Sequence, residues 1–230
     1  MSASTLKIIA LITMIIDHIG GALFPQFLFL RVIGRIAFPI YAFFIAQGCI
    51  YTKDYKKYLS RLFIFALVSE IPYDLCFNTY PNYIKINFLN QTNTIYTLFL
   101  GAFLIFVFIK LEDINISYFK KLFIKIISCI FILFISIILQ TDYSAWGIIL
   151  ILTFYLFRND KMAMLLIPLL LIIYKYVNYF NFSLFLFNIL PLGLLYFYNN
   201  KKGINLKWLF YIGYPLHLLI IGLIRILINF

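Results

Sequence analysis

Charged side chains are scarce in this chain: they make up 12% of its 230 residues, against 64% hydrophobic. Soluble domains carry about 25% charged residues, so a polar-surfaced soluble domain is excluded and a polytopic membrane protein is implied. Acidic residues are scarcer still, with 8 Asp and Glu against 19 Lys and Arg. In a soluble protein a net charge of +11 would point to nucleic acid. Here the basic residues are spread over short loops rather than massed in one patch, so they orient the chain and no nucleic-acid partner is expected. The three cysteines, Cys49, Cys76 and Cys129, lie in different apolar segments without CxxC or histidine spacing. Neither a metal site nor a disulfide framework is expected from them, and they read as small buried apolar residues. The chain also lacks a Walker A loop, GxGxxG, HExxH and GxSxG, the motifs of ATP-driven transport, dinucleotide redox chemistry, zinc proteolysis and α/β-hydrolase chemistry. No internal repeat is evident, which counts against an inverted-repeat transporter.

What the sequence does have is one apolar run after another. At about 20 residues per crossing, with shorter spans tolerated, the runs predict nine transmembrane helices, over 6–24, 31–51, 58–77, 94–110, 122–139, 144–157, 162–177, 183–198 and 208–229. The fold class is therefore all-α, an integral membrane helical bundle forming one domain over residues 1–230. The sixth to eighth runs are short for a crossing, and two of them could form a re-entrant hairpin. The first run is interrupted by Asp17 and His18 and has no small-residue cleavage site after it, so it reads as a retained helix rather than a signal peptide. The 18 Tyr and 27 Phe read as lipid-facing and interfacial residues. Lysine and arginine set the orientation. Lys7, Lys53, Lys56, Lys57, Arg61, Lys110, Lys120, Lys121, Lys125, Arg158, Lys161, Lys201, Lys202 and Lys207 fall on one side, and the opposite loops offer little beyond Lys85 and Lys175, so the positive-inside rule places the N-terminus in the cytoplasm and the C-terminus outside. The longest irregular stretch, 78–93, is then an outer loop that could cover a site.

Ionisable residues inside such runs cost several kcal/mol unless paired or hydrated, which makes them candidates for function. Asp17 and His18 lie in the outer half of the first helix. Arg31 and Arg35, four apart and on one face, open the second, and Glu70 and Asp74, also four apart, flank Pro72 near the outer end of the third. Asn90, Asn93 and Thr94 begin the fourth, Asp142 lies in a short outer turn, and the ninth brings Tyr214, His217 and a deeper Arg225. All but Arg225 converge at one depth. Asp17 points about 100° away from His18, so it is expected to pair with Arg31 or Arg35, while Glu70, Asp74 or Asp142 tunes the imidazole. At the inner face, Lys53, Lys57 and Arg61, with Gln47, could hold the phosphates of a nucleotide-type donor. Positive-inside bias explains the basic residues equally well.

The strings Leu6-Lys7-Ile8-Ile9-Ala10, Asp17-His18-Ile19-Gly20 and Arg31-Val32-Ile33-Gly34-Arg35-Ile36-Ala37-Phe38-Pro39 resemble the TraX family of integral membrane proteins. Ser69-Glu70-Ile71-Pro72-Tyr73-Asp74, Asp142-Tyr143-Ser144 with Gly147, and Tyr214-Pro215-Leu216-His217-Leu218 resemble its remaining blocks. That resemblance implies N-terminal acetylation of conjugative pilin and a place among transmembrane acyltransferases, which move an acyl group from cytoplasmic acyl-CoA to an acceptor on the far side. It implies acetyl-CoA or another acyl-CoA as donor, an extracytoplasmic pilin, peptide or glycan as acceptor, and the inner (cytoplasmic) membrane as location. His18 would be the base or transient acyl carrier, and Arg31 and Arg35 would steady the thioester carbonyl or an acidic partner. Glu70, Asp74 and His217 would shape the acceptor end. Asn93, Asp142 and Tyr214 are the candidate acceptor-binding residues, with Gln47, Lys53, Lys57 and Arg61 for the donor. Two other classes compete: a small transporter or proton-coupled permease using the same charges as a relay, and a non-catalytic pilus or secretion assembly factor.

Overall fold

The computed structural model describes residues 1–80, 83–88, 91–177 and 182–229; Asn90 lies outside them. A helix stands at each of the nine expected positions: α1 (Ala3–Ala22), α2 with α3 (Leu28–Gly34 and Ala37–Tyr51), α4 (Tyr55–Phe77), α5 (Thr94–Asp113), α6 (Tyr118–Ile138), α7 (Ser144–Leu156), α8 (Lys161–Val177), α9 (Phe182–Tyr196) and α10 (Lys207–Asn229). Among the described residues, five helices are long and apolar enough to cross a membrane: Ala3–Ala22, Leu28–Tyr51, Thr94–Asp113, Tyr118–Ile138 and Leu209–Ile228. Several helices begin or end a few residues beyond their apolar runs. Hydropathy stops at the first lysine or aspartate, whereas helical hydrogen bonding stops at a cap. Ser2 caps α1 by accepting from the Thr5 N–H at 3.3 Å. Asp54 does the same for α4, accepting from the Lys57 N–H at 2.9 Å.

One predicted helix is broken. Between α2 and α3 the backbone tightens, with Arg35 N–H donating to Val32 O at 3.1 Å and Ile36 N–H to Ile33 O at 3.2 Å. Pro39 is the cause: it has no N–H for the Arg35 carbonyl, and its ring clashes with that carbonyl in a continuous helix. The loop 78–93 is not wholly irregular either. Thr79–Tyr80 and Tyr83–Ile84 pair antiparallel as β1 and β2, and the Tyr80 and Tyr83 rings stack at 4.9 Å.

The contacts divide the chain into two compact units. The first comprises residues 1–41, 68–86 and 157–230; in it α1 packs against α2 and α10, and α8 against α9. Leu6, Ala10, Met14 and His18 recur at every fourth position of α1 and are buried together, so the histidine continues the apolar stripe that packs the helix. Tyr214, His217, Leu218 and Ile221 form the matching stripe on α10. The Ala3 and Ser4 N–H groups donate to the carbonyls of Lys201 and Lys202 at 2.8 and 3.1 Å, which ties the start of α1 to the segment before α10.

The second unit comprises residues 42–67 and 87–156. Its centre is α5, with 67% of its span buried, while α6 is only 11% buried and turns isoleucine and phenylalanine outward. Phe43 meets Phe154 edge to face at 5.7 Å in a core completed by Leu104, Ile105, Ile148 and Ile151.

Candidate functional site

The first unit brings the chain's two histidines together. His18 Nδ1 lies 2.6 Å from His217 Nε2, and the two rings are within 6° of parallel at a centroid distance of 4.9 Å. They are 4% and 8% exposed respectively, so each must satisfy its polar atoms within the protein. His217 Nδ1 lies 2.6 Å from the Gly213 carbonyl oxygen one turn earlier on α10. Phe77 meets His18 edge to face at 5.5 Å, and Tyr214 stands edge-on to both imidazoles, at 6.2 and 5.6 Å. The partner found for His18 is therefore neither Glu70, Asp74 nor Asp142 but the other histidine, 199 residues away.

Asp17 turns away from its neighbour and pairs with Arg31, whose Nη1 donates to Oδ2 at 2.8 Å and to the Asp17 carbonyl at 3.3 Å. Two glycines make room for this pair. A Cβ on Gly34 would run into the Asp17 side chain, and one on Gly21 would meet Arg31 Nη1 at 2.7 Å and Phe77 at 3.1 Å. Arg35 stands at the break between α2 and α3. On α4, Glu70 and Asp74 are fully buried, and the polar ridge runs on to Asn78, whose Nδ2 donates to Asp74 Oδ1 at 2.6 Å. The spacing 70, 74, 78 keeps all three on one face.

The end of α4 is held by a cation. Arg225 Nη1 donates to the carbonyls of Cys76 at 2.7 Å and Phe77 at 3.1 Å, where a positive charge complements the helix C-terminus. Phe77, Gly213 and the capping role of Arg225 were not anticipated from sequence. The i, i+4 spacing of Gly213 and His217 was the one local signal.

The remaining candidates belong to the second unit. Asn93 caps α5, its Oδ1 accepting from the Ile95 N–H at 2.9 Å and its Nδ2 donating to the Ala66 carbonyl at 2.9 Å. Asp142 accepts from Thr94 Oγ1 at 2.6 Å, and its N–H donates to the Thr92 carbonyl at 3.1 Å. Both side chains therefore make bonds that hold the ends of α5 and α7 in place. Lys53 and Lys57 are exposed, while Gln47 and Arg61 are half-buried. Cys49 and Cys76 are buried and Cys129 is half-buried. Among the described residues, no cluster of three or more His, Cys, Asp or Glu could hold a metal ion.

The sequence of this chain matches the TraX protein family over residues 2–225. It is 28% identical over 238 residues to a protein of Dichelobacter nodosus named probable fimbrial assembly protein FimC, serogroup H1, covering 94% of this chain and 93% of the relative. It is 30% identical over 204 residues to an uncharacterized protein of Rickettsia prowazekii (strain Madrid E), covering 89% of this chain and 73% of the relative. No solved structure matches. Apolar helices long enough to span a bilayer, joined to a family match over almost the whole length, lead to one conclusion: this membrane protein belongs to the TraX family.

Proposed function

We propose that the protein is a membrane acyltransferase that moves an acetyl or other acyl group from cytoplasmic acyl-CoA to an extracytoplasmic acceptor, a pilin N-terminus, peptide or glycan. The observation that carries this reading is the pair of buried imidazoles. Ionisable side chains brought together in an apolar setting are functional-site candidates, and neutral imidazole is the side chain best suited to take a proton near neutral pH. In this reading His18 accepts the proton of an amine or hydroxyl as that group attacks the thioester carbonyl. The new C–N or C–O bond forms, the C–S bond breaks, and the proton passes to the departing thiolate. The Asp17–Arg31 pair keeps a guanidinium close by for the oxyanion that develops on the carbonyl. The protein sits in the inner membrane with its N-terminus in the cytoplasm, and all nine helical positions cross the bilayer, the short α7, α8 and α9 where it thins around them.

The test is transfer of labelled acetyl from acetyl-CoA to peptide and glycan acceptors by the purified protein in liposomes, compared with His18→Ala. Loss of the base should lower the rate by about 10²- to 10⁴-fold, with an unchanged size-exclusion profile. Undiminished turnover in the variant would place the base elsewhere. One other reading has an observation of its own, the name of the Dichelobacter relative: a non-catalytic fimbrial assembly factor. It is favoured if the wild type neither binds acetyl-CoA nor transfers label. Solute flux through the same liposomes would instead indicate a permease.

A further inference from the structure

The geometry points to a fixed distribution of protons over the histidine pair, set from outside the pair by one backbone carbonyl. We propose that His217 is a positioning residue: it holds His18 in the tautomer whose Nε2 lone pair is free. The assignment of protons rests on geometry alone, and its use in catalysis rests on the acyltransferase reading.

The Gly213 carbonyl oxygen accepts and cannot donate, so the 2.6 Å contact requires a proton on His217 Nδ1. With His217 neutral, its Nε2 then carries a lone pair. The 2.6 Å contact between His217 Nε2 and His18 Nδ1 in turn requires the proton to be on His18 Nδ1. A neutral His18 therefore has its lone pair on Nε2. Among the described residues no hydrogen bond is made to that atom, which leaves it the reactive end of the chain from Gly213 O through His217 to His18. An imidazole without a partner on Nδ1 exchanges between tautomers, and in one of them Nε2 carries a hydrogen and is no base. The aromatic neighbours restrain ring rotation: Phe77 and Tyr214 stand within 16° of perpendicular to His18, and Tyr214 does the same to His217. When His18 takes a proton on Nε2, its Nδ1–H remains donated to His217 Nε2. The positive charge is then shared along a hydrogen bond that ends on the Gly213 carbonyl, and it is relieved when Nε2 gives the proton to the leaving thiolate.

The chain contains only two histidines, which makes the proposal directly observable. Protein labelled with ¹⁵N only in histidine, in nanodiscs, should give two ring systems, each with a protonated Nδ1 and a bare Nε2. In His217→Phe the His18 signals should change to a mixture of tautomers. In His217→Gln, whose amide oxygen can accept from His18 Nδ1, the Nδ1–H form should return. Acetyl transfer should follow the same order, falling about 10- to 100-fold in the Phe variant and recovering most of that in the Gln variant. A wild-type His18 protonated on Nε2, or one exchanging between tautomers, overturns the assignment. Equal loss of transfer in both variants overturns the positioning role. If the wild type transfers no acetyl, the acyltransferase reading fails by itself, and the spectra still decide how the protons are placed.

Discussion

Residue 18 and residue 217 each have an ordinary structural place on a packing stripe, and it is their contact across helices that makes them unusual. Sequence spacing located His18 and separated it from Asp17, because adjacent helical positions diverge by about 100°. It could not supply the histidine partner, since nothing local links positions 199 apart in the chain, and the carboxylates Glu70, Asp74 and Asp142 were the more visible choices. Arg31 was one of two arginines expected to meet Asp17, and Gly34 helps to explain the close fit of that pair. A methyl group at residue 34 has no space that Asp17 does not already occupy. Gly34→Ala should therefore cost about 1–3 kcal/mol through overpacking, read as a lower thermal unfolding midpoint in detergent. An unchanged midpoint would mean that Asp17 moves aside freely and that the ion pair with Arg31 is not fixed by this packing.

At the scale of elements, positions were legible and ends were not. Nine apolar runs became helices, and among the described residues five are long and apolar enough to cross a bilayer, where such a run has few other stable outcomes. The break at Arg35 was written in Pro39, yet it was hidden inside a run whose hydropathy is continuous. The end of α4 was hidden for another reason: its cap, Arg225, comes from α10. Replacing this cation leaves the Cys76 and Phe77 carbonyls without their donor, and a charged hydrogen bond to a partly buried acceptor contributes about 1.5–3 kcal/mol. Arg225→Met should lower the unfolding midpoint accordingly and broaden the His18 ring signals, because Phe77 packs on that ring. Unaltered stability and sharp histidine signals together would show that α4 ends where it does without the cap.

For the whole molecule, composition pointed to a membrane environment, since 64% hydrophobic content leaves too little polar surface for a soluble domain. Orientation is a separate matter, carried by the basic residues between helices. Single cysteines at exposed Lys53 and Lys85, introduced into a chain whose own three cysteines are serines, should react with impermeant maleimide from opposite sides of the membrane. The cysteine at 53 should be reached from the cytoplasm and the one at 85 from outside. Labelling from one side at both positions would mean that α4, Tyr55–Phe77, does not cross.

The ion pair of Asp17 and Arg31 has an electrical consequence. Because it carries no net charge, the voltage across the membrane exerts no net force on it. A proton arriving on the histidine pair does feel that voltage, by up to about 2.3 kcal/mol per 100 mV if it crosses the whole field. In the proposed reading, a voltage across the membrane would therefore act on the net charge of a protonated His18 and on the Asp17–Arg31 pair only as a dipole.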